Sequence, residues 1–300
     1  MSMNDSAFEL PFSERPLVVL ALGGNALSPP TAKAPEDEYA PEREIVARTA
    51  GLLDGLIQQG FRLLVVHGNG PQVGRLLESD PVRGNLDIHV AQTQGELGYL
   101  LVRALRHPMV CVLTRVVVSE ALGAPVKPVG PVLDRLPSGQ NGVRSGDGWR
   151  VTVPSPRPAD VVESAAIREL LCSYHVVAGG GGGVPVDDCG EPLNCVVDKD
   201  WVASLFARAL DAEHLVFATD VDAVYERYGH ADARRLNRLT VAGARAMIEE
   251  GGATPGAMAP KLASAAEFVE ATGRASHVCD LQSMVAAISG AAGASTVIQP

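Results

Sequence analysis

Six apolar residues, Leu17-Val-Val-Leu-Ala-Leu22, break abruptly into Gly23-Gly24-Asn25, and this run narrows the folds open to the chain more than any other feature. A strand without polar alternation has to be covered on both faces, as the central strands of a parallel sheet are. Helical spacing follows it. Between Glu42 and Gln59 the apolar positions Ile45, Val46, Leu52, Leu53, Leu56 and Ile57 recur on one face, and Gly60 stops the pattern before a second apolar run, Phe61 to Val66. The same β-α-β grammar predicts helices near Val90–Arg106, Val161–Cys172, Asp200–Leu210, Val241–Glu250 and Lys261–Thr272. It predicts strands near Met109–Leu113, His175–Ala178, Leu215–Ala218 and Ala275–Cys279. Strands alternating with helices imply an α/β fold with a mainly parallel sheet, and ligands in such sheets gather at the strand carboxyl ends.

One stretch departs from the alternation. Ser119 to Pro158 is rich in Gly, Pro, Ser and Arg and has little periodicity. Connections that long are usually lids or disordered, and Trp149 with the segment Val151-Thr-Val-Pro-Ser-Pro-Arg-Pro158 predicts an ordered excursion that returns as a strand. Met1 to Arg15 give no pattern and read as a disordered extension.

Composition removes several classes of function. With 300 residues and 46% hydrophobic content the chain can bury a large core, as one large or two interlocked domains. A formal net charge of -10 argues against nucleic acid as a partner, since duplex binding needs a basic face to release counterions. The opening segment carries Asp5, Glu9 and Glu14 and lacks the apolar stretch of a signal peptide, and no apolar run reaches bilayer length. Five cysteines without close metal-type pairs fit a reduced, cytoplasmic chain.

The chemistry points to phosphate. Three glycine-rich turns follow predicted strands: Gly23-Gly24-Asn25, His67-Gly68-Asn69-Gly70, and the run Gly179 to Gly183. Glycine leaves backbone N–H groups unshielded, so such turns can close around phosphate or carboxylate oxygens. One of them alone is ordinarily a tight turn; three at successive strand ends are a stronger signal. No turn ends in the Gly-Lys-Ser/Thr of a Walker loop, and Gly70 is followed by Gly74 rather than by the spacing of a dinucleotide fingerprint. Lysine is scarce, at Lys33, Lys127, Lys199 and Lys261 only. Lys199 stands between Asp198 and Asp200 at a predicted helix start, Lys261 at another, and Lys127 in the irregular excursion. Phosphoryl transfer depends on positive charge placed around the moving group and on aligning two anions that repel, which suits lysines so placed.

The segments VLALGGNAL, VVHGNGPQVG, AQTQGELGYL, VKPVGP, VPSPRP, AGGGGGVPV, VVDKD, ATDVDAVY and GAMAPK, in that order from about Leu17 to Ala271, resemble the signatures of carbamate kinases within the amino acid kinase family. The resemblance implies a three-layer α/β/α sandwich. Residues 1–211, with a lid subdomain at 119–158, would hold the acceptor, and residues 212–300 the nucleotide. It implies a homodimer, carbamate and carbamoyl phosphate as small-molecule substrates, and ATP/ADP with Mg2+ bridging the nucleotide phosphates.

By the same resemblance Lys199 and Lys261 would touch the phosphoryl group in flight, Asp200 would hold them, Asp198 would assist, and Lys127 would reach in from the lid. The amides of Gly23, Gly24, Gly68, Asn69 and Gly70, with Asn25, would cradle phosphoryl group and acceptor, completed by Gly180, Gly181 and Gly182. Asp220, Tyr225, Met258, Ala259 and Pro260 would border adenine and ribose. Asp222 reads equally as a turn residue, and His67 as a packed strand end rather than a base. The chain departs from the family pattern at Ala257 and Ala259, where serine and glycine are usual. It departs again at Val151, where a basic residue is usual, and at Ser276–Leu281, which lacks a Thr-Ser pair. Another small-acid kinase, or a nucleotide-binding regulator without catalysis, stays open as an alternative.

Overall fold

A computed structural model describes residues 10–27, 40–79, 86–254 and 257–300. Lys33, Gly256 and the side chain of Asn25 lie outside the described residues. The strands are β1 (Leu17–Leu22), β2 (Arg62–His67), β3 (Met109–Cys111), β4 (Arg115–Val117), β5 (Pro125–Leu133), β6 (Gly142–Ser145), β7 (Gly148–Pro154), β8 (Asp160–Val161), β9 (His175–Val177), β10 (Val184–Val186), β11 (His214–Thr219), β12 (Val224–Glu226), β13 (Arg234–Leu236), β14 (Arg238–Thr240), β15 (Ser276–Asp280) and β16 (Thr296–Gln299). The helices are α1 (Ala40–Gln58), α2 (Gly70–Ser79), α3 (Leu86–Ala104), α4 (Ser164–Leu170), α5 (Lys199–Ala209), α6 (Val241–Glu249), α7 (Met258–Thr272) and α8 (Met284–Ile288).

Among the described residues the main sheet runs β14-β16-β15-β11-β1-β2-β9-β3. Its pairs are parallel except β15 with β16. The apolar run of β1 shows why it is central, because its alternate residues feed two cores. Leu17, Val19 and Ala21 pack with Val202 and Phe206 of α5 and Leu262 and Phe268 of α7. Val18, Leu20 and Leu22 pack on the opposite face with Leu53 and Leu56 of α1, Leu97 and Leu101 of α3, and Met284 of α8. Helices on both faces of one sheet make a three-layer α/β/α sandwich. The sheet is continuous across position 211, since β1 pairs with β11 from Val18↔His214 to Leu22↔Ala218.

The excursion forms a three-stranded sheet of its own, in the order β5-β7-β6. It is seated on α2 by an unusually close backbone approach. A Cβ added to Gly74 would lie 2.1 Å from the Cα of Gly130, and Gly130 itself takes φ +72°. Val73 of α2, Val129 of β5 and Val196 share a small apolar cluster there, and Arg150 Nε donates to the Gly130 carbonyl at 2.9 Å.

Several elements differ from the sequence reading. The helix expected from Val161 starts at Ser164, because Asp160–Val161 pairs with β4 as a short strand. Lys261 does not open its helix; Met258–Pro260 form the first turn ahead of it. Gly70, read as a turn residue, begins α2. The extension is ordered at its end: Phe12 meets the ring of His175 edge-on at 5.0 Å, and Arg62 Nε donates to the Arg15 carbonyl at 2.7 Å.

Candidate active site

β11, β1, β2 and β9 lie side by side and parallel, so the turns that follow them converge at one end of the sheet. α5 starts beside them. Asp198 caps it, with Oδ1 accepting the Asp200 N–H at 3.0 Å. Asp200, 2% exposed, then receives Lys199 Nζ on Oδ1 at 2.5 Å and Lys261 Nζ on Oδ2 at 2.9 Å. α7, which carries Lys261, is held against α5 by packing and by Ser204 Oγ donating to the Ser264 carbonyl at 2.9 Å. One carboxylate on one helix thus aligns two ammonium groups from two helices, and Lys261 also reaches the Ala257 carbonyl at 3.3 Å.

The charges are strongly perturbed. Burial and the nearby Lys261 push the Lys199 pKa down, against the pull of Asp200 and Asp198. Burial acts the same way on Lys261, but Asp200, Asp198 and Asp220 outweigh it and hold that ammonium above its ordinary range. Asp200 resists burial and stays well below the usual carboxylate range because both lysines contact it. Asp198, Asp220 and Lys127 line the site as well, three lysines against three aspartates, so its floor offers placed ammonium donors without a net positive charge.

This floor opens into a cleft of about 310 Å3 lined by Gly23, Gly24, Gly68, Asn69, Gly70, Lys127, Gly181, Asp198, Lys199, Asp200, Asp220 and Lys261. A second cavity of about 240 Å3, lined by Val221, Tyr225, Tyr228, Thr254 and Met258, shares Thr219, Asp220 and Ala257 with it. A polar compartment holding three ammonium groups therefore adjoins a more apolar one bearing two aromatic rings. Ala259 and Pro260 line neither; they lie in the first turn of α7, and Ala259 packs against the core. Asp222 accepts from Tyr225 Oη at 2.8 Å and from Arg235 Nε at 3.0 Å, which braces the turn that borders the second cavity.

The glycine turns divide their labour. The Gly23 N–H donates to the Ala218 carbonyl at 3.0 Å and the Gly68 N–H to the Leu22 carbonyl at 3.1 Å, so both amides are spent extending the sheet. What those two glycines supply is clearance: a Cβ on Gly68 would lie 3.2 Å from the Gly24 nitrogen and 3.5 Å from Lys199 Cε. Gly70 opens α2 at the cleft, where first-turn amides have no intrahelical acceptor and the helix end is positive. Gly181 lines the cleft at φ +66°, and a Cβ there would overlap Asn69 Nδ2 at 2.0 Å. Gly180 and Gly182 sit behind it, against His67 and under the Val197 carbonyl. His67 is fully buried, its Nδ1 3.0 Å from the Gly68 carbonyl, and burial lowers its pKa to about 4.

Three residues escaped the sequence reading. Asn69 Nδ2 donates to Thr93 Oγ1 at 2.9 Å, and Gln94 grips Thr114 through Nε2 to its carbonyl at 3.1 Å and Oε1 from its N–H at 2.9 Å. Thr114 Oγ1 in turn receives the Gly179 N–H at 2.9 Å. The signal was present in AQTQGELGY, a helix that buries Thr93 and Gln94 among apolar neighbours. Val151 does not line the cleft. It lines an apolar cavity of about 120 Å3 with Leu77, Leu86, Val129 and Val153, between the lid and α2.

No group of three or more His, Cys, Asp or Glu among the described residues is arranged to hold a metal ion, and Asp198 and Asp200 are both engaged by lysines. A resident Mg2+ site does not fit these side chains. No described helix is long and apolar enough to cross a membrane.

The model of the amino acid kinase family matches residues 16–280, nearly the whole chain. The chain belongs to the amino acid kinase family. Membership makes it a kinase, with ATP and ADP as its nucleotide substrates. Among its relatives in that family, a carbamate kinase of Halobacterium salinarum is 35% identical over 93% of this chain and 97% of its own. Carbamate kinase 1 of Enterococcus faecium is 39% identical over 84% and 89%. A solved carbamate kinase from Giardia lamblia bound to AMP-PNP superposes with a TM-score of 0.83 at 30% identity, covering 96% of this chain and all of that one. These matches set this amino acid kinase on the carbamate kinase branch.

Proposed function

We propose that this kinase transfers a phosphoryl group reversibly between ATP and carbamate, giving ADP and carbamoyl phosphate. The observation that carries the reading is the Lys199–Asp200–Lys261 clamp at the floor of a glycine-lined cleft that opens into an aromatic cavity. Adenine and ribose occupy the cavity beside Tyr225 and Met258, and the phosphates run into the cleft past Asp220. Lys199 and Lys261 neutralise the charge that spreads over the transferring group, and the amino terminus of α2 adds partial positive charge. Mg2+ belongs to the substrate here, carried in on the nucleotide phosphates. Residues 1–211 serve the acceptor and residues 212–300 the nucleotide, the division falling between β1 and β11 inside one sheet.

The acceptor end favours a small acid without an ammonium group. An amino acid acceptor needs a carboxylate for its α-ammonium; Asp198 and Asp200 are already paired with lysines, and Asp220 stands at the border with the nucleotide cavity. A carbamate anion needs only the lysine ammonium groups and the backbone donors. It arrives ionised, so the reaction asks for no general base, in keeping with the buried, neutral His67. We place the enzyme in the cytoplasm as a homodimer, making ATP during catabolism.

ATP formation from ADP and carbamoyl phosphate with Mg2+ tests the reading, beside assays offering glutamate, aspartate and N-acetylglutamate as acceptors for ATP. Turnover with carbamoyl phosphate is the expected result. Turnover with an amino acid and none with carbamate would transfer the protein to another branch, and ATP binding without any turnover would make it a regulator.

A further inference from the structure

The segment Val196-Val197-Asp198 touches more of the machinery than its length suggests. Below, the Val197 carbonyl rests on Gly182, where a Cβ would come within 2.0 Å of that oxygen, so the glycine run fixes its height. Above, the lid holds it from two strands. The Val196 N–H donates to the Pro154 carbonyl at the end of β7 at 3.1 Å, and Asp198 Oδ2 pairs with Lys127 Nζ of β5. At its end, Asp198 Oδ1 caps α5, the helix whose first two residues are Lys199 and Asp200. Asp198 is 8% exposed, so its pair with Lys127 is largely shielded from water and salt.

We propose that Asp198 is a positioning residue that couples the lid to the phosphoryl site. One of its oxygens sets the start of α5 and the other draws Lys127 over the cleft before any ligand binds. The lid is thereby biased toward the closed arrangement, and a small anionic acceptor meets a lysine already in place. The proposal rests on the kinase reading for its kinetic consequence and on the contacts alone for its structural one. A ligand whose site is preassembled binds with an apparent affinity undiminished by the open fraction.

Asp198→Asn separates the two roles, because asparagine caps a helix as well as aspartate does but carries no charge for Lys127. Hydrogen exchange of the ligand-free protein is the first measurement. Amides of β5 and β7 should exchange about tenfold faster in Asp198→Asn, while β1, β2 and β11 stay protected. Lys127→Met, which removes the same pair from the lid side, should give the same pattern, and it decides alone if Asp198→Asn fails to fold. In steady-state assays Asp198→Asn should raise the KM for carbamoyl phosphate about tenfold and leave the KM for ADP within twofold. Asp198→Glu, which restores the charge, should recover part of the acceptor KM. Unchanged lid exchange in both single variants overturns the coupling, whatever the substrate proves to be. Absence of turnover in the wild type with faster lid exchange in the variants would overturn the carbamate reading and leave the coupling standing.

Discussion

At the scale of single residues, the two lysines of the clamp share one buried carboxylate, with burial holding the Lys199 pKa down and Asp200, Asp198 and Asp220 holding that of Lys261 up against burial. Lys199→Met and Lys261→Met each take one ammonium from Asp200, so both should lower the melting temperature. Both should reduce kcat by roughly 10²- to 10³-fold, the usual loss when one preorganised donor is removed. A melting temperature unchanged in either variant would refute that lysine's place on the Asp200 carboxylate. Asp200→Asn leaves two buried ammonium groups facing each other and should lose activity together with about 3 to 5 kcal/mol of stability, measured by urea unfolding. Gly181→Ala places a methyl on Asn69 in a left-handed conformation, and should damage the cleft more than Gly70→Ala, where a Cβ meets nothing within 4 Å.

At the scale of elements, the lid is seated on α2 by a glycine pair. α2 and β5 touch backbone to backbone at Gly74 and Gly130, and nothing larger fits. Gly74→Ala should lift β5 from α2, raise the KM for the acceptor by about an order of magnitude and leave nucleotide affinity, read by ADP titration, near the wild-type value. An equal loss for both substrates would mean that the variant had damaged the sheet rather than the lid. In sequence Gly74 shows only that a dinucleotide fingerprint is absent, because the spacing of glycines does not say whether a ligand or another backbone comes close. The hairpin β12–β13, the strand β16 and the small sheet β4, β8 and β10 were also missed. They are two to four residues long, too short for any period to register.

At the scale of the whole molecule, three buried histidines set the acid limit of stability. His67, His175 and His277 each have the pKa lowered to about 4 by burial, against an ordinary value near 6.5. The unfolded chain binds more protons than the folded one between those values, so stability is full above about pH 7 and falls as pH drops toward 4. Each histidine removes roughly 2 kcal/mol by pH 5. The urea midpoint should fall steeply from pH 7 to pH 5, and a flat midpoint across that range would contradict the burial of these rings as neutral groups. The same compactness joins the two halves assigned to acceptor and nucleotide, because the core that contains Phe206 also contains Phe217. Unfolding should accordingly be one cooperative transition by fluorescence and by circular dichroism.

The sequence by itself determined the layered α/β plan, since an unbroken apolar strand flanked by helical periodicity can be buried only between two layers. It also marked the strand ends where chemistry gathers and the four lysines among which the clamp was to be found. Only the tertiary structure decided which glycines face a ligand and which receive backbone, as Gly23, Gly68, Gly74 and Gly182 show. It alone brought Lys127 to Asp198, 71 residues away, and it set Lys261, 61 residues from Asp200, on the Oδ2 that Lys199 leaves open there. Local pattern records how a segment meets the core. The pairing of charges across helices depends on where the sheet sets those helices, and that information is spread over the whole chain.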